Sequence, residues 1–326
     1  MTEKNNEEVR QTIRVEREET GFRLDAALAS RFPRVSRSRW QERIRAGDVL
    51  VDGLSARAAR RVKEGESIEF RFERREEPSV NEDYRVLYED DDILAIDKPW
   101  DLPVHPSGVY FKHTLHALLK RDRGEDFVSY FAHRLDRETS GVLLMGKNKD
   151  AAFFLHECFL SGRVRKEYLV LAGGDFPERL DARGWIGPDD QSPVRKKMKF
   201  VAGKFAPDDE RFRGARTVFR LLGRPAGVNL IHVRLYTGRL HQIRATLCSL
   251  GYPVVGDRLY GPDDRLYLKF IQDLETPEDR KLLGMERTAL HCRRMILPHP
   301  NGSVLRLVSS PPRDMLAFMR RNAGEA

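Results

Sequence analysis

The chain has 326 residues, enough for a large core and for two domains. Lys and Arg outnumber Asp and Glu by 58 to 50, a formal charge of +8 that suits a polyanionic partner without requiring one. Three solitary cysteines (Cys158, Cys248, Cys292) support neither a zinc ribbon nor a disulfide scaffold, and no apolar run approaches a membrane span. The polar start, MTEKNNEEVRQ, lacks a signal-peptide core, so we expect a soluble protein of the reducing cytoplasm, away from membranes.

Residues 1–19 are charged and mixed, and read as a flexible lead into a first strand. In RLDAALASRF, Leu24, Ala27 and Leu28 fall at helical spacing. Ser36 then caps SRSRWQERIRAG, a helix with Trp40 and Ile44 on one face and Gly47 at its end. DVLVDG alternates like a strand and turns at Asp52-Gly53, and VKEGESIEFRF supplies another strand. These elements make one compact unit over residues 20–73. The next stretch, 74–83, has no apolar period and contains Pro78, so it reads as a linker.

From Tyr84 onward a second domain, 84–326, is expected. YRVLYEDDDILAIDKP reads as two strands around an acidic turn, and Thr114 caps a short helix through Leu118 and Leu119. Asn148 caps KDAAFFLHECFLSG, whose inner face is Ala151, Phe154, Leu155, Cys158 and Phe159, with Gly162 as its stop. KEYLVLAGG, ARTVFRLLGR and VNLIHVRLYTGR follow as strands, HQIRATLCSLG as a helix, LHCRRMIL and SVLRLVSS as strands, and RDMLAFMRR as a last helix. Helices lie between strands while hairpins abound, so the fold class is α+β with a mixed, largely antiparallel sheet.

Phosphate-loop, dinucleotide, kinase, nucleophile-elbow and HExxH signatures are all absent. Three polar constellations remain, each against an apolar strand. They are the Asp136 stretch FAHRLDRETSGVLLMGK (131–147), RKEYLVL around Tyr168, and TGRLHQIR (237–244). Loops held by a rigid sheet are where sites tend to be built. Singly, each has a blander reading as a surface ion pair, an amphipathic core tyrosine or solvated arginines.

Taken together, HRLDRETSG, RKEYLVLAG and TGRLHQIRATLCSLGYPVVGDRLYG resemble the signature blocks of the RluA family of pseudouridine synthases. The likeness runs from about Tyr84 to the end and takes in DKPWDLPVHPSG and LHCRRMILPHPNG. Residues 21–53 are similar to the small ribosomal-protein S-four type of RNA-binding domain. Trp100-Asp101 departs from the small residues common in the family, and His291-Cys292 from the more usual His-Ala. The resemblance implies isomerisation of uridine to pseudouridine in structured RNA, without cofactor or metal. It makes Asp136 the catalytic aspartate, Tyr168 the tyrosine beside the target base, Arg239 the cation paired with Asp136, and Arg134 the residue that helps displace the flipped nucleotide.

Those roles are chemically coherent. Breaking a C–N glycosidic bond and remaking it through carbon needs an acid–base or nucleophilic group beside the sugar, and a paired cation keeps that carboxylate ionised when RNA closes the site. The cations Arg37, Arg39, Arg43 and Arg45 are the expected phosphate-tracking set of the first domain, with a solvated charge face as the alternative. A glycosidase would need a second acid, for which Glu138 is the candidate, expected to face solvent. A silent RNA-binding or ribosome-assembly protein is the other rival. The expected partner is structured RNA, large-subunit ribosomal RNA before transfer RNA, bound by a monomer.

Overall fold

A computed structural model describes residues 8–32, 35–73, 77–107 and 109–321. The chain divides into two compact units, Met1–Glu76 and Glu77–Ala326. Among the described residues no helix is long and apolar enough to cross a membrane.

In the first unit β1 (Glu8–Arg14), α1 (Leu24–Arg31), α2 (Arg37–Ala46), β2 (Val49–Val51), β3 (Leu54–Ser55) and β4 (Ser67–Glu73) follow in order. The strands form an antiparallel sheet in the order β1-β4-β2-β3. Part of the lead expected to be flexible is therefore a strand, because β1 pairs along all seven residues with β4. Residues 1–7 of that lead lie outside the described set. The local sequence explains α2 well. The Ser36 hydroxyl accepts from the Arg39 N–H at 3.3 Å, and Gly47 ends the helix at φ 81°. Trp40 and Ile44 are buried with Leu24, Leu28, Ile68 and Phe70, and Trp40 meets Phe70 edge-on at 5.4 Å. Asp52 and Gly53, at φ 51° and 77°, make the two-residue turn between β2 and β3.

The second unit contains β5 (Arg85–Glu89), β6 (Ile93–Lys98), α3 (Leu115–Arg123), β7 (Tyr130–Phe131), β8 (Ser140–Gly146), α4 (Lys149–Leu160) and β9 (Arg165–Ala172). It continues with β10 (Arg179–Pro188), β11 (Met198–Ala202), β12 (Arg213–Gly223), β13 (Asn229–Leu235) and α5 (Gln242–Ser249). The last elements are α6 (Arg265–Ile271), α7 (Pro277–Leu283), β14 (Leu290–Pro298), β15 (Val304–Val308) and α8 (Arg313–Arg321). Eleven strands form one sheet along the path β11-β10-β12-β13-β9-β14-β8-β6-β5, with β15 on β14 and β7 on β8. Its pairs are antiparallel except β14 with β8, which agrees with the mixed, largely antiparallel expectation. The hairpin of β10 and β11 and the helices α6 and α7 were not legible in the sequence, where polar residues break the apolar period. Residues 74–76 of the expected linker lie outside the described set, whereas Glu77 is anchored. Its carboxylate accepts from the N–H groups of Phe111, Lys112 and His113 at 2.7–2.9 Å.

The parallel seam explains the glycine at the head of β8. Gly141 pairs with Cys292 at φ 109°, and a Cβ there would lie 2.2 Å from the Cys292 carbonyl oxygen. Gly141→Ala therefore combines backbone strain with a clash against main chain. We expect a loss of roughly 3 kcal/mol, read as a lowered midpoint with unchanged slope in urea unfolding.

Candidate active site

Every residue of β8 is buried, so the loop before it is held at the rim of a rigid sheet. Within that loop the Thr139 N–H donates to the Asp136 carbonyl at 3.1 Å, closing a turn. Lys98, at the end of β6, braces the loop from below. Its wholly buried ammonium donates to the carbonyls of Pro99, Leu102 and Arg137 at 2.8, 2.9 and 3.1 Å. Burial pulls this ammonium down to about 7. One side chain thus ties the DKPWDL and HRLDR segments together. Asp101 in the former sits at φ 58°, a left-handed backbone that glycine holds at lower cost, and pairs with Arg137 at 3.4 Å.

The carboxylate of Asp136 meets a cation, but not the expected one. Arg244 of α5 donates from Nη1 to Asp136 Oδ2 at 2.8 Å. Its Nε and Nη2 grip Asp257 at 2.6 and 2.8 Å. Arg239 is exposed, and its Nε donates to the Gly214 carbonyl at 3.1 Å. The pairing assigned to Arg239 is therefore made by Arg244. Arg239 precedes α5 in a surface turn, whereas Arg244 lies inside the helix among Ile243, Ala245 and Leu247, all buried. That pattern was the available signal, since a cation embedded in an apolar helix face must find a buried acid.

Asp257 is fully buried and also accepts from the N–H groups of Leu259 and Tyr260 at 3.0 and 2.9 Å. Its oxygens are committed. Asp136 differs, with its side chain 23% exposed. Among the described residues Oδ1 accepts no hydrogen bond, and His241 Nε2 lies 3.9 Å from it. Desolvation pushes the Asp136 carboxyl upward, but the Arg244 charge, His241, the Arg244 hydrogen bond and Arg134 outweigh it, leaving the group below the ordinary carboxylate range. Burial draws His241 down to about 4, so at neutral pH Arg244 is the cation that keeps the anion. His241 Nδ1 shares a 2.9 Å hydrogen bond with the Tyr260 hydroxyl, whose ring lies 4.9 Å from the Arg244 guanidinium. Arg244, Asp257, His241, Tyr260 and Lys98 lie in the sequence blocks quoted above, but none was given a role from sequence.

Tyr168 of β9 is only 5% exposed, with Cys292 of β14 as its cross-strand partner. Burial, Cys292 and the Asp136 charge all raise its pKa, so the phenol stays protonated. Cys292 is likewise a neutral thiol, pushed up by burial to about 12. His291 bridges Ser140 Oγ at 3.0 Å and the Ser309 carbonyl at 3.2 Å, a structural tie between β8, β14 and the segment after β15. Arg134 is exposed at the loop tip, its charge acting on Asp136 and His105.

Glu138, the second acid a hydrolase would need, does not face solvent. Its Oε2 accepts from the Thr288 N–H and hydroxyl at 2.9 and 2.8 Å, and Oε1 faces Arg258 and Arg137 at 3.6 and 3.4 Å. In the first unit, Arg37 is tied to the buried Asp25 at 3.2 Å beside Arg23 and Gln41. Arg43 approaches Asp48 at 3.9 Å, while Arg39 pairs with Glu42 and Arg45 with the Gln41 carbonyl, both on the exposed face. Arg39 and Arg45 are thus the members of the set best placed to meet a ligand.

Comparison with known proteins places this geometry. Residues 92–249, which contain Asp136, Tyr168, Arg239 and Arg244, match the RNA pseudouridylate synthase family model, and residues 22–68 match the S4 domain. The chain is 33% identical to "Ribosomal large subunit pseudouridine synthase D" of Nitrosomonas europaea, over 92% of this chain and 84% of that one. It is 35% identical to the protein of the same name from Xanthomonas campestris pv. campestris, over 92% and 88%. Among solved structures it resembles "Human RNA Pseudouridylate Synthase Domain Containing 1", with a TM-score of 0.57 and 28% identity over 73% of this chain and 87% of that one. The chain belongs to the RluA family of RNA pseudouridine synthases, with an S4 RNA-binding domain ahead of its synthase domain.

Proposed function

We propose that this protein converts specific uridines of large-subunit ribosomal RNA to pseudouridine, acting as a monomer in the cytoplasm, with Asp136 as the catalytic carboxylate. The observation that carries the assignment is the contrast between two acids on one arginine. Asp257 is buried and saturated, whereas Asp136 is held through Oδ2 alone, its Oδ1 accepting no hydrogen bond among the described residues and its side chain partly exposed. An anchored anion with one free oxygen can act at the glycosidic bond as base or nucleophile, and the isomerisation returns every atom to the product. Tyr168, a neutral phenol that feels the charge of this carboxylate, supplies a wall and a hydrogen bond for the displaced base. Arg134, exposed at the loop tip, fills the place the base leaves. Arg239 is reassigned from partner of Asp136 to a phosphate-facing cation.

The ribosomal target is favoured because relatives that match along nearly the whole chain carry that name. The test is to map pseudouridines in ribosomal and transfer RNA from cells with and without the gene. Sites lost only from large-subunit RNA support the proposal, and sites lost only from transfer RNA replace it.

The first domain would hold the RNA through exposed cations of α2. Replacing Arg39 and Arg45 together by Ala should lower the slope of log affinity against log salt by about 1–2 and leave folding unchanged. Arg37→Ala should instead lower the unfolding temperature, because it weakens the pairing of the buried Asp25. Salt titrations and thermal melts on the two variants separate these outcomes.

A further inference from the structure

Lys166 brings a positive charge to the site with no acid to meet it. The residue is 8% exposed, and its backbone is paired on both sides, with Leu235 of β13 and Met295 of β14. Among the described residues its ammonium makes no hydrogen bond or ion pair. It lies over the Phe159 ring, with the centroid 5.6 Å away. Neighbouring ionic side chains on the opposite face behave differently, since Glu167 is met by Arg165 and Arg294.

The sheet fixes where this charge lies. Lys166 and Tyr168 are two residues apart on β9, hence on one face and about 6.6 Å from each other along the strand. A Cβ at Gly238 would stand 3.7 Å from the Lys166 ammonium, an ordinary contact distance that puts the ammonium against the residue preceding Arg239. Burial first, and then the charge of Arg239, pull the Lys166 ammonium below the ordinary lysine value, with the neighbouring Cys292 opposing. A lysine ammonium beside the residue preceding Arg239, met by no carboxylate among the described residues, is an arrangement that an anion relieves.

RNA brings one kind of anion, its phosphodiester. We infer that Lys166, together with Arg239, binds a phosphodiester flanking the target uridine and so fixes the backbone while the base lies against Tyr168. The inference rests on the reading of the Asp136–Tyr168 face as the uridine site. It makes Lys166 a substrate-binding residue that acts on position rather than on the bond-making step. The competing role is structural, a long stem covering Phe159 with its head in water.

The experiment uses the full-length protein and an in vitro transcribed large-subunit ribosomal RNA fragment carrying the mapped uridine. Lys166→Met keeps the stem and loses the charge, and Lys166→Arg keeps the charge. For Lys166→Met we expect KM to rise about tenfold with kcat within about threefold, and the salt slope of binding to fall by about 0.7–0.9. Lys166→Arg should recover most of both. Unchanged KM and salt slope in Lys166→Met, at the native unfolding temperature, would overturn the inference. Should that variant fail to fold, native enzyme and a synthetic fragment with a neutral methylphosphonate 5′ or 3′ of the uridine decide the matter. A roughly tenfold weaker Kd at one linkage supports the contact, and no change at either removes it. Turnover by Asp136→Asn would sink the uridine-site reading separately, because the salt slope is measured on binding alone.

Discussion

Asp136→Asn should abolish pseudouridine formation, by at least ~10³-fold, in a protein that still folds and still binds RNA. The amide keeps the shape and can still accept from Arg244, but it loses the charge, the basicity and the nucleophile. Folding should survive because Arg244 retains both hydrogen bonds to the buried Asp257. The lost charge-assisted bond is partly exposed, and we expect a cost of about 1–2 kcal/mol. RNA affinity should hold or rise, since an anion facing phosphates has gone. Pseudouridine formation, RNA binding and thermal unfolding are measured on one preparation. Substantial turnover in a folded sample would leave an RNA-binding or assembly role as the better account.

The pH dependence carries a sign that can be checked on the same pair. Asp136 has a folded-state pKa below its unfolded value, so its contribution to stability is fully present above about pH 4. It is lost as pH falls through the lower folded value. Stability differences between native and Asp136→Asn should therefore be constant from about pH 5 to 8 and shrink in stronger acid. Activity of the native enzyme should show no acid limb from Asp136 within that neutral window.

Arg244→Met should be the most damaging single change in the site. It leaves Asp257, which is wholly buried, and Asp136 without their shared cation. Removing one partner of a buried pair costs about 3–5 kcal/mol, which for a domain of this size lowers the unfolding temperature by roughly 10 °C or more. Turnover should fall with it. Adding Asp257→Asn to Arg244→Met should restore part of the stability and none of the activity, because the second change removes the stranded charge without rebuilding the hold on Asp136. Arg239→Ala is the control. Its guanidinium is exposed and bonded to one main-chain carbonyl, so stability should change by no more than about 0.5 kcal/mol. A large loss of stability in Arg239→Ala with little in Arg244→Met would reverse the assignment of the two arginines.

The sequence by itself determined what is local. Ser36, Asn148 and Thr114 cap helices because each hydroxyl or amide reaches an N–H three residues ahead, a geometry written into adjacent residues. The Asp52-Gly53 turn, the buried stripe of Trp40 and Ile44 and the apolar run of β8 follow from the same short-range rules. The three polar blocks around Asp136, Tyr168 and TGRLHQIR were legible too, because each abuts a strand the pattern makes plain. What the tertiary structure decided is which side chains meet across it. Arg239 and Arg244 stand five residues apart in one block. The apolar neighbours of Arg244 mark it as the one turned inward, but nothing local says that its partner is a carboxylate more than a hundred positions earlier. The helix α5 decides it by turning Arg244 inward, where Asp257 is already held by two backbone N–H groups. The same holds for Lys98 on the distant Arg137 carbonyl, for Glu138 drawn in by Thr288, and for Gly141 against Cys292. Burial is a property of the whole sheet, and a buried charge or a close backbone contact takes its meaning only from the partner that the fold delivers.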